Sequence, residues 1–263
     1  MVTGAHNDIK IDGQKTLKSM SCKTVNGDIA IKTGSGSYKN LQTYPTLSIT
    51  LPEGTHLHIG KSIIFGRAET LGSADLHLAS CSDFETSDIL GTLDLKVSGS
   101  SNVTIGDVGP SNITISGSAD VRIGSSADAH VKMSGGSDFE AGNINAPLTI
   151  ELSGSANAKV QSITETLTYS SKGSAKFQAD TVAGDMAIKT SGGSKITVKK
   201  ASASHVTIKS NGTSDVYIGG EVGDVTILAK GVSDVEIEST TGERSVEKTP
   251  VADVKIGETD YPG

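Results

Sequence analysis

Aspartate recurs along this 263-residue chain at a spacing that invites a cation: Asp215, Asp234 and Asp253 stand 19 residues apart. If the backbone returned to the same place every 19 residues, three carboxylates would stack about 4.8 Å apart, the distance between neighbouring strands. Two full charges at that separation repel by roughly 0.9 kcal/mol in a water-like dielectric, and a hard cation such as Ca²⁺ would relieve them. Turn amides and solvent can also carry such charges, because aspartate side chains bond the backbone of turns. The same position in other copies holds Asn102, Asn157, Lys176 and Lys195, which no cation-binding array would choose. Asp215, Asp234 and Asp253 are therefore the calcium candidate, yet no metal site is expected.

Other chemistry is thin. His56 and His58 project from one side of an alternating segment, which is half of a metal site without a third ligand nearby. His77, His130 and His205 fall at other phases of the repeat and read as surface histidines. Cys22 and Cys81 have neither CxxC nor metal-ligand spacing and can be free or bridged. No G-x-S-x-G elbow, no GxxxxGK[ST] loop and no paired-carboxylate motif stands out from the repeat. No catalytic residue and no cofactor is expected.

Composition narrows the elements that could position any site. Hydrophobic residues make up 35% and aromatics 3%, with no Trp, 31 Gly, 6 Pro and 35 Ser. Gly and Ser are poor helix formers, so a packed helical protein is excluded. Val, Ile and Leu recur throughout and the net charge is only -7, which argues against disorder. The acidic balance, with only three arginines (Arg67, Arg122, Arg244), argues against a nucleic-acid partner, which would want a basic face. No run of 18 apolar residues is present, so no membrane-spanning helix is expected. Met1–His6 lacks the charged and apolar regions of a signal peptide, which leaves a cytosolic chain or a mature one whose export signal has been removed. Sequons at Asn102, Asn112 and Asn211 matter only in a eukaryotic secretory route.

Internal repetition is the main signal. Corners such as Ser98-Gly99-Ser100-Ser101-Asn102, Ser116-Gly117-Ser118-Ala119-Asp120 and Ser134-Gly135-Gly136-Ser137-Asp138 end on polar residues that recur from Asp83 to Asp253 at steps of 18 to 20. After each corner comes an alternating strand with an inward pair, as in Val121/Ile123, Phe139/Ala141 and Phe177/Ala179. Seven residues before each corner's end stands Leu76, Leu95, Ile113, Val131, Ile150, Tyr169, Ile188, Ile208 or Ile227. A third, shorter ledge holds Ile89, Val108, Ile144, Ile163 and Val182, with Ser126 and Ala201 as weaker members. Three apolar ledges per 19 residues describe a lap with three sides. The residue before each corner's end is always Ser or Ala, as an inward bend requires, and the glycine two residues earlier supplies a positive φ.

A repeat this short cannot close its own core, whereas stacked repeats can, giving a rod of about 43 Å over nine steps. An antiparallel sandwich would lack register between distant corners. The expected fold is an all-β, right-handed parallel β-helix with atypical caps. Residues 1–62 read as capping strands or irregular laps, with strands at Asp28–Lys32, at Leu47–Leu51 and at His56–Ile59 around a turn at Pro52-Glu53-Gly54. Residues 63–263 read as the β-helix with a short polar cap after Asp253, continuous with the first part as one domain.

The S-G-S-A-D and S-G-G-S-D corners, the short alternating strands and the segment Gly142-Asn143-Ile144-Asn145 resemble the bacterial head GIN domain family of auto-transporter adhesins over about residues 47 to 257. The resemblance implies a right-handed parallel β-helix, an exported, periplasmic or cell-surface setting, and adhesion without known catalytic residues. The leading functional expectation is thus a non-catalytic envelope module that binds a surface ligand, glycan or protein. Two others stand beside it. A polysaccharide lyase or hydrolase would need cleft-building loops, for which steps of 18 to 20 leave no room, and a pure spacer would bind nothing. An ice-binding face would need regular outward threonines, while the outward column mixes Thr104, Arg122, Glu140, Lys159 and Gln178.

Overall fold

The computed structural model describes residues 8–12, 20–25, 28–33, 46–50, 56–62 and 65–261. Two compact units divide the chain, residues 1–53 and 54–263. Among the described residues the chain is all strand and turn, and no helix is long and apolar enough to cross a membrane.

In the first unit, Asp8–Asp12 pairs antiparallel with Thr46–Thr50, and Met20–Val25 with Asp28–Thr33. The strands expected at Asp28–Lys32 and from Leu47 are therefore present. The expected turn at Pro52-Glu53-Gly54 lies outside the described residues. His56–Ser62 opens a parallel ladder, Ile59 lying beside Leu76. Its lap is only 17 residues long there, with a register shift between Ile59 and Ser62, and this hides it from a search for the 19-residue step.

The second unit is a parallel β-solenoid. Each lap gives one strand to a twelve-stranded sheet and one to an eleven-stranded sheet, so that consecutive strands alternate between them. Like residues stand in file. Val121 lies beside Phe139, Phe139 beside Ala158, and Ala158 beside Phe177. In the other sheet the file runs Leu76, Leu95, Ile113, Val131, Ile150, Tyr169, Ile188, Ile208, Ile227, Val246. The third side is narrow: Leu71, Ile89, Val108, Ser126 and Ile144 form a ladder of single bridges. From Ile144 upward this ledge merges with the preceding strand, and Ile163, Val182 and Ala201 continue it.

The alternation of each strand follows from the two-sided sheet. Inward residues such as Val103, Val121, Ile150 and Ile196 are buried, and the polar residues between them face solvent. Volume is balanced along the file, small Ala158 sitting between Phe139 and Phe177, and Tyr169 packs on Phe177 with ring centroids 5.1 Å apart.

Corners explain the serines and glycines. The last corner residue before each strand, from Ser82 to Ala252, is at most 2% exposed. Where it is serine, its hydroxyl satisfies a corner carbonyl: Ser101 Oγ donates to the Ser98 oxygen at 3.1 Å, and Ser233 Oγ to the Lys230 oxygen at 2.8 Å. The eight corner glycines have φ between 74° and 102°. Their stacking adds a second constraint, since a Cβ on Gly117 would lie 2.6 Å from the Gly99 carbonyl oxygen. Ser80 occupies this position in the first glycine-free corner and adopts φ 65° all the same. At the other end Gly257 turns the chain, and Thr259–Tyr261 folds back antiparallel on Asp253–Ile256, closing that edge of the twelve-stranded sheet.

Candidate functional site

Each strand of the twelve-stranded sheet sends two side chains outward, one at the end of the corner and one two residues on. Stacking turns these positions into two parallel columns. One contains Asp120, Asp138, Asn157, Lys176, Lys195 and Asp215. Its neighbour contains Arg122, Glu140, Lys159, Gln178, Thr197 and Tyr217. Between them lies a shallow concavity of about 650 Å³ that extends from Asp120 to Lys195. A second, of about 300 Å³, meets it at Arg122, Glu140 and Lys159 and continues to Asp180.

Glu140 links the two. Arg122 Nε stands 3.6 Å from its Oε2, and Lys159 Nζ 3.4 Å from its Oε1. All three side chains are more than half exposed, so each pair contributes at most about 1 kcal/mol. Asn157 Nδ2 donates to Asp138 Oδ1 at 2.9 Å. Lys199 Nζ, 2.8 Å from Asp180 Oδ1, and the Gln178 amide hold the Asp180 carboxyl below its ordinary value. Lys195 reaches Asp215 only at 4.0 Å, and the Lys176 ammonium has no ion pair or hydrogen bond among the described residues. Lys176 and Lys195 stand side by side in register. The walls are thus long, hydrated side chains that can donate, accept and carry charge, and Val121, Phe139, Ala158 and Phe177 also line the concavity.

Asp215, Asp234 and Asp253 do stack as the spacing implies, Asp234 between the other two. Partial burial and then the two neighbouring carboxylates push the Asp234 carboxyl above its usual value. Among the described residues, no group of three or more His, Cys, Asp or Glu is arranged to hold a metal ion. His58 Nδ1 lies 2.9 Å from Asp75 Oδ2, and His56 is exposed. His205 lies between two laps' carboxylates, 3.2 Å from Asp185 and 3.7 Å from Asp224. The Asp185 carboxyl is lowered, first by the His205 backbone N–H that donates to it at 2.8 Å. His77 and His130 stand apart from both clusters, in other outward positions. Cys81 is an exposed free thiol in the first corner.

The repeat gives the two columns as positions, but not the concavity between them, whose members are about 19 residues apart in the chain. Aligning the laps by their corners shows them at once, as it shows the outward threonines Thr149, Thr168, Thr207 and Thr226 of the other sheet, interrupted by Ala187.

No curated protein and no solved structure matches this chain. A family profile matches residues 1–179, more than half of the chain. The match takes in the N-terminal strands, where the corner motif is absent, and stops in the middle of the solenoid, whose later laps keep the same register. By that match, and by the corners and parallel laps that agree with it, the chain belongs to the family described as "Putative auto-transporter adhesin, head GIN domain".

Proposed function

We propose that this protein is a non-catalytic binding module of the cell envelope, and that the two-column trough of the twelve-stranded sheet is its contact surface. The observation that carries the reading is the trough itself: a continuous groove across five laps, walled by outward polar side chains that the fold does not need, above the buried Val121, Phe139, Ala158 and Phe177. Inward residues hold the solenoid together, whereas Arg122, Lys159, Lys176 and Gln178 contribute little to it. The family description supports an adhesive role at the surface. The steps of 18 to 20 residues between corners add no loops that would deepen the groove into a catalytic cleft.

Two measurements test this. Cells producing the full-length precursor are fractionated, and the protein is expected in the envelope or the medium; recovery in the cytosol alone would overturn the location. Purified protein is applied to arrays of surface glycans and envelope proteins, and retention of a ligand class is expected, reduced by changes at Lys159 and Glu140. Release of reducing ends from a polysaccharide would overturn the non-catalytic half, and retention of nothing would leave a spacer.

A further inference from the structure

Charge is distributed unevenly along the solenoid. Residues 69–156 carry twelve Asp and Glu against three Lys and Arg, and residues 213–263 carry eleven against four. Residues 157–212 reverse the balance, with eight lysines against three acids. Three laps of an acidic protein therefore form a positive belt between two negative stretches. Within the trough the belt is represented by Lys176 and Lys195 in one column and Lys159 in the other, followed by Gln178, Thr197 and Tyr217. Tyr217 is 37% exposed at the upper end.

We propose that this belt binds an acidic polysaccharide, a chain with carboxylates on its sugars, laid along the stacking axis. The proposal rests on the trough being a binding surface and adds the chemistry of its ligand. Placing Lys176 directly beside Lys195 concentrates like charge where Asp or Asn stands in the laps below, and an anion relieves the repulsion. Laps follow one another at ~4.8 Å, so a straight chain laid along the axis passes Lys159, Lys176 and Lys195 in turn, and its carboxylates can reach them without bending the chain. Gln178 and Thr197 offer the donors and acceptors that hydroxyl groups need, and the Tyr217 ring offers an apolar face for a sugar's C–H surface. A protein partner fits less well, because protein contacts depend on exposed apolar and aromatic anchors, whereas Phe139 and Phe177 under the trough are buried and Tyr217, just above it, is the one large exposed aromatic among the described residues. The flanking acidic stretches repel any polyanion that overruns the belt, which sets the bound length at about three sugars and disfavours long polyphosphates.

The test uses the full chain with galacturonate oligomers of three and six sugars, uncharged cello-oligosaccharides of equal length, and single-stranded DNA. Binding is followed by calorimetry at about 20 mM and about 200 mM salt, across which surface electrostatics weaken. The galacturonate trimer is expected to bind, more weakly at the higher salt, while the neutral oligomers do not. Lys176→Glu combined with Lys195→Glu should lower the affinity at least about tenfold, and Lys189→Glu with Lys209→Glu, the same charge change on the other sheet of the same belt, less than about twofold. These four lysines are exposed, so circular dichroism should remain that of the parent. Equal loss in both double variants, or DNA binding as tight as galacturonate, would reduce the effect to ion exchange and overturn the proposal. So would self-association, seen by sedimentation, that the Lys176 and Lys195 changes abolish, since a second copy would then be the occupant. If an array ligand is held through the trough while galacturonate is not, this proposal fails and the binding module stands; if nothing is held, both fail.

Discussion

Replacing Gly135 by alanine should destabilise the protein by about 2–4 kcal/mol, whereas the same change at Gly136 should stabilise it by about 0.5 kcal/mol. The two glycines are adjacent in one corner but differ in both conformation and surroundings. Gly135 has φ 85°, and left-handed backbone costs an alanine about 1–2 kcal/mol. Its added methyl would also fall on the Gly117 carbonyl oxygen, well inside van der Waals contact, and 3.1 Å from the Gly117 nitrogen. That oxygen accepts the Gly136 N–H at 2.9 Å, and the same bond recurs between corners above and below, so it cannot retreat alone. Weakening it adds a further ~1 kcal/mol or more. A methyl on Gly136 meets no atom within 4 Å, and its φ is ordinary, so alanine there mainly removes freedom from the unfolded chain. Urea unfolding followed by circular dichroism measures both, with midpoints compared only where the slope is unchanged, because solenoid laps can unfold separately. The converse change, Ser80→Gly, should stabilise by about 0.5–1 kcal/mol, since Ser80 holds φ 65° without being glycine. Equal destabilisation by Gly135→Ala and Gly136→Ala would refute the account of the corner.

Three further perturbations probe the core and the carboxylate ladder. Ile150, fully buried, should not tolerate aspartate: Ile150→Asp is expected to unfold the protein, while Lys159→Asp on the exposed face shifts the thermal midpoint by a few degrees at most, and similar melting of both would contradict the inward assignment. The Tyr169 hydroxyl is buried with no hydrogen bond of ordinary geometry, Ser171 exerting only a weak pull on it, and Tyr169→Phe should be neutral or stabilise by up to about 1 kcal/mol in urea unfolding. Burial pushes that phenol from 10.0 up to about 12, so the unfolded chain loses its proton first; stability is unaffected by this group below pH 10 and falls between 10 and 12, and the fall should be smaller in Tyr169→Phe. Asp234→Asn should raise the thermal midpoint at neutral pH and low salt, because the folded state holds this carboxyl's proton more tightly than the unfolded state. The wild type regains that stability as pH falls through the raised value, so the advantage of the variant should vanish in acid and shrink in high salt.

What could be read from the sequence was whatever the fold repeats. Inward pairs such as Val121/Ile123, the small residue before each strand and the corner glycines recur because every lap faces the same steric demand, and each sits where the spacing places it. Ser126 was visible as a weak member of the third ledge, and the structure shows why serine suffices: it is buried, its hydroxyl donates to the Asp128 carbonyl at 2.8 Å, with the Gly109 carbonyl also in reach, and its oxygen can accept from Ser111 Oγ. His56–Ser62 escaped because its lap is shortened and carries no corner glycine. Ser80 gave no signal at all, since only its backbone shows that the first corner bends like the others.

The outward columns could be placed from the sequence, Thr104, Arg122, Glu140, Lys159 and Gln178 in one of them, but their use could not, for a different reason. Periodicity reports what is the same in every lap, whereas a ligand-binding surface consists of what differs between laps. Asp138, Asn157, Lys176 and Lys195 occupy one column, and nothing in the packing of the core chooses among aspartate, asparagine and lysine there. Such choices leave stability nearly untouched, because exposed charges contribute little to it. A run of three lysine-rich laps inside an otherwise acidic solenoid is consequently information that the fold does not require. In a stacked protein the neighbours of a residue lie about 19 positions away, so the site becomes visible only once the laps are superposed and compared position by position.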